Sequence, residues 1–124
     1  MNRKLAVLMV TLNLLVYLSF FFDLATTVWA LSLPPVNGKK LVEGNPVAVD
    51  LGLEATVIHN LIARLTIPIL TFFWWLSRND KLMFYGFSVI ICAACFACII
   101  ISVHAGWGNL QKILEFQSLG GEKT

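Results

Sequence analysis

Three long apolar runs constrain this chain more than any other feature. They cover residues 5–33, 51–76 and 82–103. Each exceeds the roughly 20 residues a helix needs to cross about 30 Å of hydrocarbon. Hydrocarbon offers no partner for a backbone N–H or C=O, so a segment that crosses must satisfy its own groups, as a helix does. The rest of the chain agrees. Of 124 residues, 58% are hydrophobic and 13% charged, about half the roughly 25% charged residues of a soluble domain. The sequence therefore predicts an all-α integral membrane protein. A single membrane domain fills residues 1–124, with spans at about 5–32, 47–77 and 82–104. The net charge is +2, and the Lys and Arg residues flank the apolar runs. That pattern suits headgroups and excludes a nucleic-acid groove. Arg3 and Lys4 precede a run longer than the roughly 7–15 residues of a signal-peptide core, so an uncleaved anchor is expected.

The span ends carry recognisable stops and starts. Pro34-Pro35 cannot continue a helix. Asn37-Gly38 is a turn dipeptide. Asn45-Pro46 supplies a capping side chain and a first-turn proline, which predicts that the second helix begins at Pro46. Residues 77–81 form a tight polar turn. Beyond Gly106, apolar residues recur at Trp107, Leu110, Ile113 and Leu114 with Gln111, Lys112 and Glu115 between them. This spacing predicts a short amphipathic helix on the membrane surface at about 107–117. Trp74, Trp75 and Tyr85 mark one interface. Arg3, Lys4, Arg78 and Lys81 hug the span ends on one side, which predicts a cytoplasmic N-terminus and an outside C-terminus in the cell membrane.

Ionisable residues inside spans are costly and call for a reason. Asp23, Thr26 and Thr27 share one helix face, and Ser19 lies a turn earlier. On the second span Thr56, His59, Ala63 and Thr66 form one stripe, with Asn60 and Arg64 beside it. The two polar strips are expected to face each other. A buried arginine stays charged and needs a counter-ion. Asp23 is the preferred partner of Arg64 and Glu54 the second candidate. Pro68 removes an N–H and crowds the carbonyl of Arg64, which predicts a kink and an unbonded backbone acceptor there. The candidate ligand site comprises Asp23, Thr26, Thr27, Glu43, Asn45, Glu54, His59 and Arg64. The competing reading is that these groups only lock two helices together.

Cys92, Cys95 and Cys98 echo part of an iron–sulfur run but lack a fourth cysteine and a loop. Small residues at helical spacing instead suit close helix approach. No metal site, cofactor or catalytic residue is expected, and no nucleotide loop or nucleophile elbow is present. An enzymatic role is therefore not predicted.

The elements Asp23-x-x-Thr26-Thr27 and Glu43-x-Asn45-Pro46, followed by two apolar runs, resemble a family of small archaeal and bacterial three-span membrane proteins of unknown function. The resemblance covers about residues 12–103. It implies a shared polar corner at the outer ends of the first two helices and no particular activity. Two functions are then in view. The leading one is an accessory or self-associating subunit of a membrane assembly, with lipid and a second copy or another membrane protein as partners. The alternative is a transporter-like or intramembrane site for an ion, proton or small polar ligand built on Asp23, His59 and Arg64.

Overall fold

A computed structural model of the chain describes residues 3–36, 38, 41 and 52–121, with side chains through residue 118. Four helices follow in order: α1 (Arg3–Ser32), α2 (Leu53–Arg64), α3 (Thr66–Leu76) and α4 (Lys81–Gly121). The described residues are all-helical, without strands. α2 and α3 form one bent span, so three helical stretches are long and apolar enough to cross a membrane.

The bend at Leu65 has a local cause. Pro68 has no N–H to donate to the carbonyl of Arg64, and its ring crowds that oxygen. Leu65 N responds by donating to both Leu61 O and Ile62 O at 3.1 Å, a tightened turn. The regular ladder resumes with Ile69 N donating to Leu65 O at 3.3 Å. The Arg64 carbonyl takes its hydrogen bond from outside the helix: the Tyr17 hydroxyl donates to it at 3.2 Å.

α1 and α4 run parallel, because Phe22 meets Gly106 and Asp23 meets Asn109. The bent span runs the other way. Asn13 pairs with Thr71 and Tyr17 with the Arg64 carbonyl, so its numbering falls as that of α1 rises. α1 packs mainly along α4, and its contact with α2 is slight. The polar strips of the first two spans therefore do not close on each other; the third span receives both. The core is a seam at helical spacing: Met9, Leu12 and Val16 from α1, Ile67 and Trp74 from α3, Ile91 and Cys95 from α4. Large apolar side chains such as Leu14, Leu18, Phe72, Val89 and Ile100 cover the outside. An outer surface of that kind suits lipid and would aggregate in water.

Three expectations change. First, no separate surface helix forms at about 107–117, because α4 runs unbroken for 41 residues. No proline interrupts it. Gly106 and Gly108 cost about 1 kcal/mol each in propensity, but Gly106 gives the room in which the Phe22 ring seats. Ile113 and Phe116 then stay buried along the same face. At 1.5 Å per residue the helix is about 60 Å long, roughly twice the hydrocarbon thickness. Second, Gly52 has φ +89°, so the helix that starts at Leu53 does not continue back through it. The Asn45-Pro46 start lies outside the described residues. Third, Trp74 faces the core and not the outside. It is 3% exposed, its indole donates to Ser88 Oγ at 2.7 Å, and it stacks on Phe84 with centroids 4.9 Å apart. This contact joins α3 to α4. Trp75 and Tyr85 remain on the outside, with the Arg78 guanidinium 4.3 Å from the Trp75 ring. Asp80 caps α4 by accepting from Met83 N through its side chain.

Candidate functional site

The seam changes character part-way along the bundle. On α1 the positions of Met9 and Val16 are followed one heptad later by Asp23. On α4 Cys95 is followed at the same interval by Ser102 and Asn109, and then by Phe116. On the bent span Trp74 and Ile67 lead at seven-residue steps to Asn60. All three helical seams of the core thus turn from apolar to polar toward one end of the bundle. There they line a partly open cavity of about 280 Å³. Its polar lining is Asp23 and Thr27 from α1, Thr56, Asn60 and Arg64 from α2, and Ser102 and Asn109 from α4.

At one end the Asn109 amide nitrogen donates to Asp23 Oδ1 at 3.2 Å, Thr26 Oγ1 at 3.2 Å and Thr27 Oγ1 at 2.9 Å. The threonine oxygens can accept because their own hydrogens are used. Thr27 donates to Asp23 O at 2.9 Å, and Thr26 lies 3.0 Å from Phe22 O and 2.9 Å from Asp23 O. The Asp-x-x-Thr-Thr face of α1 therefore presents oxygen acceptors to α4.

Arg64 occupies the other end. Its Nη1 donates to Asn60 Oδ1 at 3.1 Å and Asn60 O at 3.3 Å, and its Nη2 donates to Ser102 Oγ at 3.0 Å. The guanidinium carbon sits 4.6 Å from the centre of the Phe20 ring. Among the described residues these hydrogen-bond partners are all neutral. The buried Nε has no partner. Arg64 and Asp23 line the same cavity; Arg64 donates to Ser102 and Asp23 accepts from Asn109, two different residues of α4.

Of the other expected site residues, Thr26 is buried beside the cavity and bonded to Asn109. His59 is exposed and does not line the cavity. Steps of four place Thr56, Asn60 and Arg64 on one face, and His59 falls one residue off it. Glu54 is exposed on the first turn of α2. Glu43 and Asn45 lie outside the described residues. Ser102 and Asn109 were not expected in the site. The signal for them is the seven-residue register with Cys95, which sequence inspection treated only as a stripe of small residues.

Comparison with protein-family profiles, curated proteins and solved structures finds no match. The resemblance to small three-span proteins rests on the quoted residues alone.

Proposed function

We propose that this is a small multi-pass protein of the cell membrane whose function lies in the cavity: an intramembrane binding site for a small polar species. The observation that carries this reading is the cavity itself. Three spans each spend buried polar residues on one space of about 280 Å³. Arg64 donates to Asn60 and Ser102, and its buried Nε–H is left without an acceptor beside this space. Intramembrane ionisable groups mark functional sites by default, and Asp23 and Arg64 both line the cavity. In this reading the site is built on Asp23, Thr27, Asn60, Arg64, Ser102 and Asn109, and it requires no catalytic residue. The N-terminus is cytoplasmic and the cavity lies toward the outside.

The test is ligand-dependent stabilisation of the protein in lipid nanodiscs. A polar solute that raises the unfolding temperature of the native chain, and fails to raise it in Asp23→Asn, supports the site. A broad panel without any shift counts against it.

A second reading, an accessory or self-associating subunit, is favoured by the length of α4. Its 41 residues outrun a single crossing, and the excess suits contact with a second copy or another membrane protein. Purification in mild detergent tests it: a stable monomer without a co-purifying partner argues against this role.

A further inference from the structure

The Arg64 end of the cavity holds more hydrogen-bond donors than acceptors. A guanidinium carries five N–H groups and no acceptor. Nη1 donates to Asn60 Oδ1 and Asn60 O, and the Asn60 amide nitrogen in turn donates to Thr56 O at 2.8 Å. Nη2 carries two N–H groups, and Ser102 Oγ takes one at 3.0 Å. The buried Nε–H has no acceptor. The Phe20 ring, 4.6 Å from the guanidinium carbon, covers one face of the fork.

Ser102 adds a further donor. Every other described serine and threonine hydroxyl donates to a backbone carbonyl three or four residues earlier. Ser102 departs from that habit. Its oxygen accepts from Arg64, and its hydrogen has no acceptor among the described residues. The residue is 1% exposed and lines the cavity. A buried donor left unmet is costly, and the hydroxyl rotor can turn its hydrogen toward the space that the Nε–H borders.

We infer that the Arg64 end of the cavity binds an oxyanion, a carboxylate or a phosphate, through Arg64 Nε–H, the second N–H of Nη2 and Ser102 Oγ–H. This rests on reading the cavity as a binding site. Donors that lack acceptors call for a ligand rich in acceptors. Charge narrows the choice. Among the described residues every hydrogen-bond partner of the guanidinium is neutral, and a buried arginine stays charged and needs a counter-ion. A water or a neutral amide would accept a hydrogen bond and bring no charge. Nε and Nη2 lie along one edge of the fork, the edge that meets two oxygens of a carboxylate or phosphate in parallel. The Asp23 carboxylate accepts from Asn109, seven residues along α4 from Ser102, or about 10 Å of helix rise. An anion therefore seats at the Arg64 end. Leu24, Leu53, Val57 and Ile101 complete the lining, a wall suited to the carbon chain behind an acid group. The same chemistry occurs in small organic acids and phosphates and in the headgroup of a phospholipid.

The experiment uses the full chain in dodecyl maltoside, a detergent without a charged group, so any oxyanion is one that was added. Propionate and inorganic phosphate are compared with propionamide, propylamine and sodium chloride at equal concentration and ionic strength. A second arm adds phosphatidylglycerol to the micelle, with a diacylglycerol of the same chains as its control. The expected result is a rise of several degrees in unfolding temperature with at least one oxyanion and little change with the controls. Arg64→Gln should abolish the rise, and Ser102→Ala should weaken the apparent affinity roughly tenfold, as loss of a hydrogen bond to a charged group does. Should Arg64→Gln fail to fold, Ser102→Ala carries the comparison. A rise with phosphatidylglycerol alone supports a lipid headgroup as the source of the phosphate; an equal rise with the diacylglycerol overturns it. A rise of the same size in the native chain and in either variant places the anion elsewhere and overturns the assignment. Stabilisation by propionamide or propylamine without propionate or phosphate overturns the oxyanion and leaves the cavity reading intact. No shift with any probe or lipid overturns both.

Discussion

The Asn109 amide of α4 donates to the Asp23 carboxylate of α1 at 3.2 Å. The same nitrogen lies 2.9 Å from Thr27 Oγ1, so one side chain holds the polar face of α1 against the third span. Hydrogen bonds between membrane helices average about 0.6 kcal/mol, with a maximum near 1.7. Asn109→Leu should therefore destabilise the bundle by about 1 kcal/mol. Asn109→Asp should cost more at neutral pH, because it sets a second carboxylate against the first. Thermal unfolding in detergent reads this directly; equal stability of the two variants would contradict the contact.

Arg64 and Ser102 should be coupled more strongly than Arg64 and Asp23. The guanidinium donates to Ser102 at 3.0 Å, whereas Asp23 is held by another residue two turns along α4. A double-mutant cycle with Arg64→Met and Ser102→Ala should return about 0.6–1.7 kcal/mol. The corresponding cycle with Asp23→Asn should return less. The reverse order would restore the direct ion pair expected from sequence.

At Gly106 α4 comes close to the Phe22 ring of α1. A Cβ there would run into the Phe22 ring. Gly106→Ala should force the ring or the helices apart at a cost of about 1–3 kcal/mol. Phe22→Ala in the same chain should recover most of it. If Gly106→Ala alone raises stability through helix propensity, the ring has swung aside freely.

Pro68 and Tyr17 should be non-additive. Tyr17 donates to the carbonyl that Pro68 leaves without a helical donor. Tyr17→Phe should thus cost about 0.6 kcal/mol in the native chain. In Pro68→Ala, the new N–H can reach the Arg64 carbonyl, and the cost of Tyr17→Phe should fall toward zero. Equal costs in both backgrounds would detach the hydroxyl from the kink.

Much of this was legible from local chemistry. The proline bend, the polar turn at residues 77–81 and the shared face of Asp23, Thr26 and Thr27 depend on neighbours within a turn or two. Where a residue's role depends on another helix, sequence inspection failed. Trp74 reads as a headgroup aromatic, yet Ser88 and Phe84 draw it inward. His59 reads as part of the polar site, yet its register turns it out. The segment after Gly106 reads as a surface helix because its hydrophobicity falls. Burial of Ile113 and Phe116 instead keeps it part of α4.

By itself, then, the sequence determined three helical stretches fit for lipid and the presence of buried charge, because backbone satisfaction and side-chain solvation are local requirements. Which groups meet was decided only by the packing of α1 along α4. That packing sets Asn109 on Asp23 and Ser102 on Arg64. A seam with a seven-residue repeat has no meaning until a second helix fixes which side of it is inside.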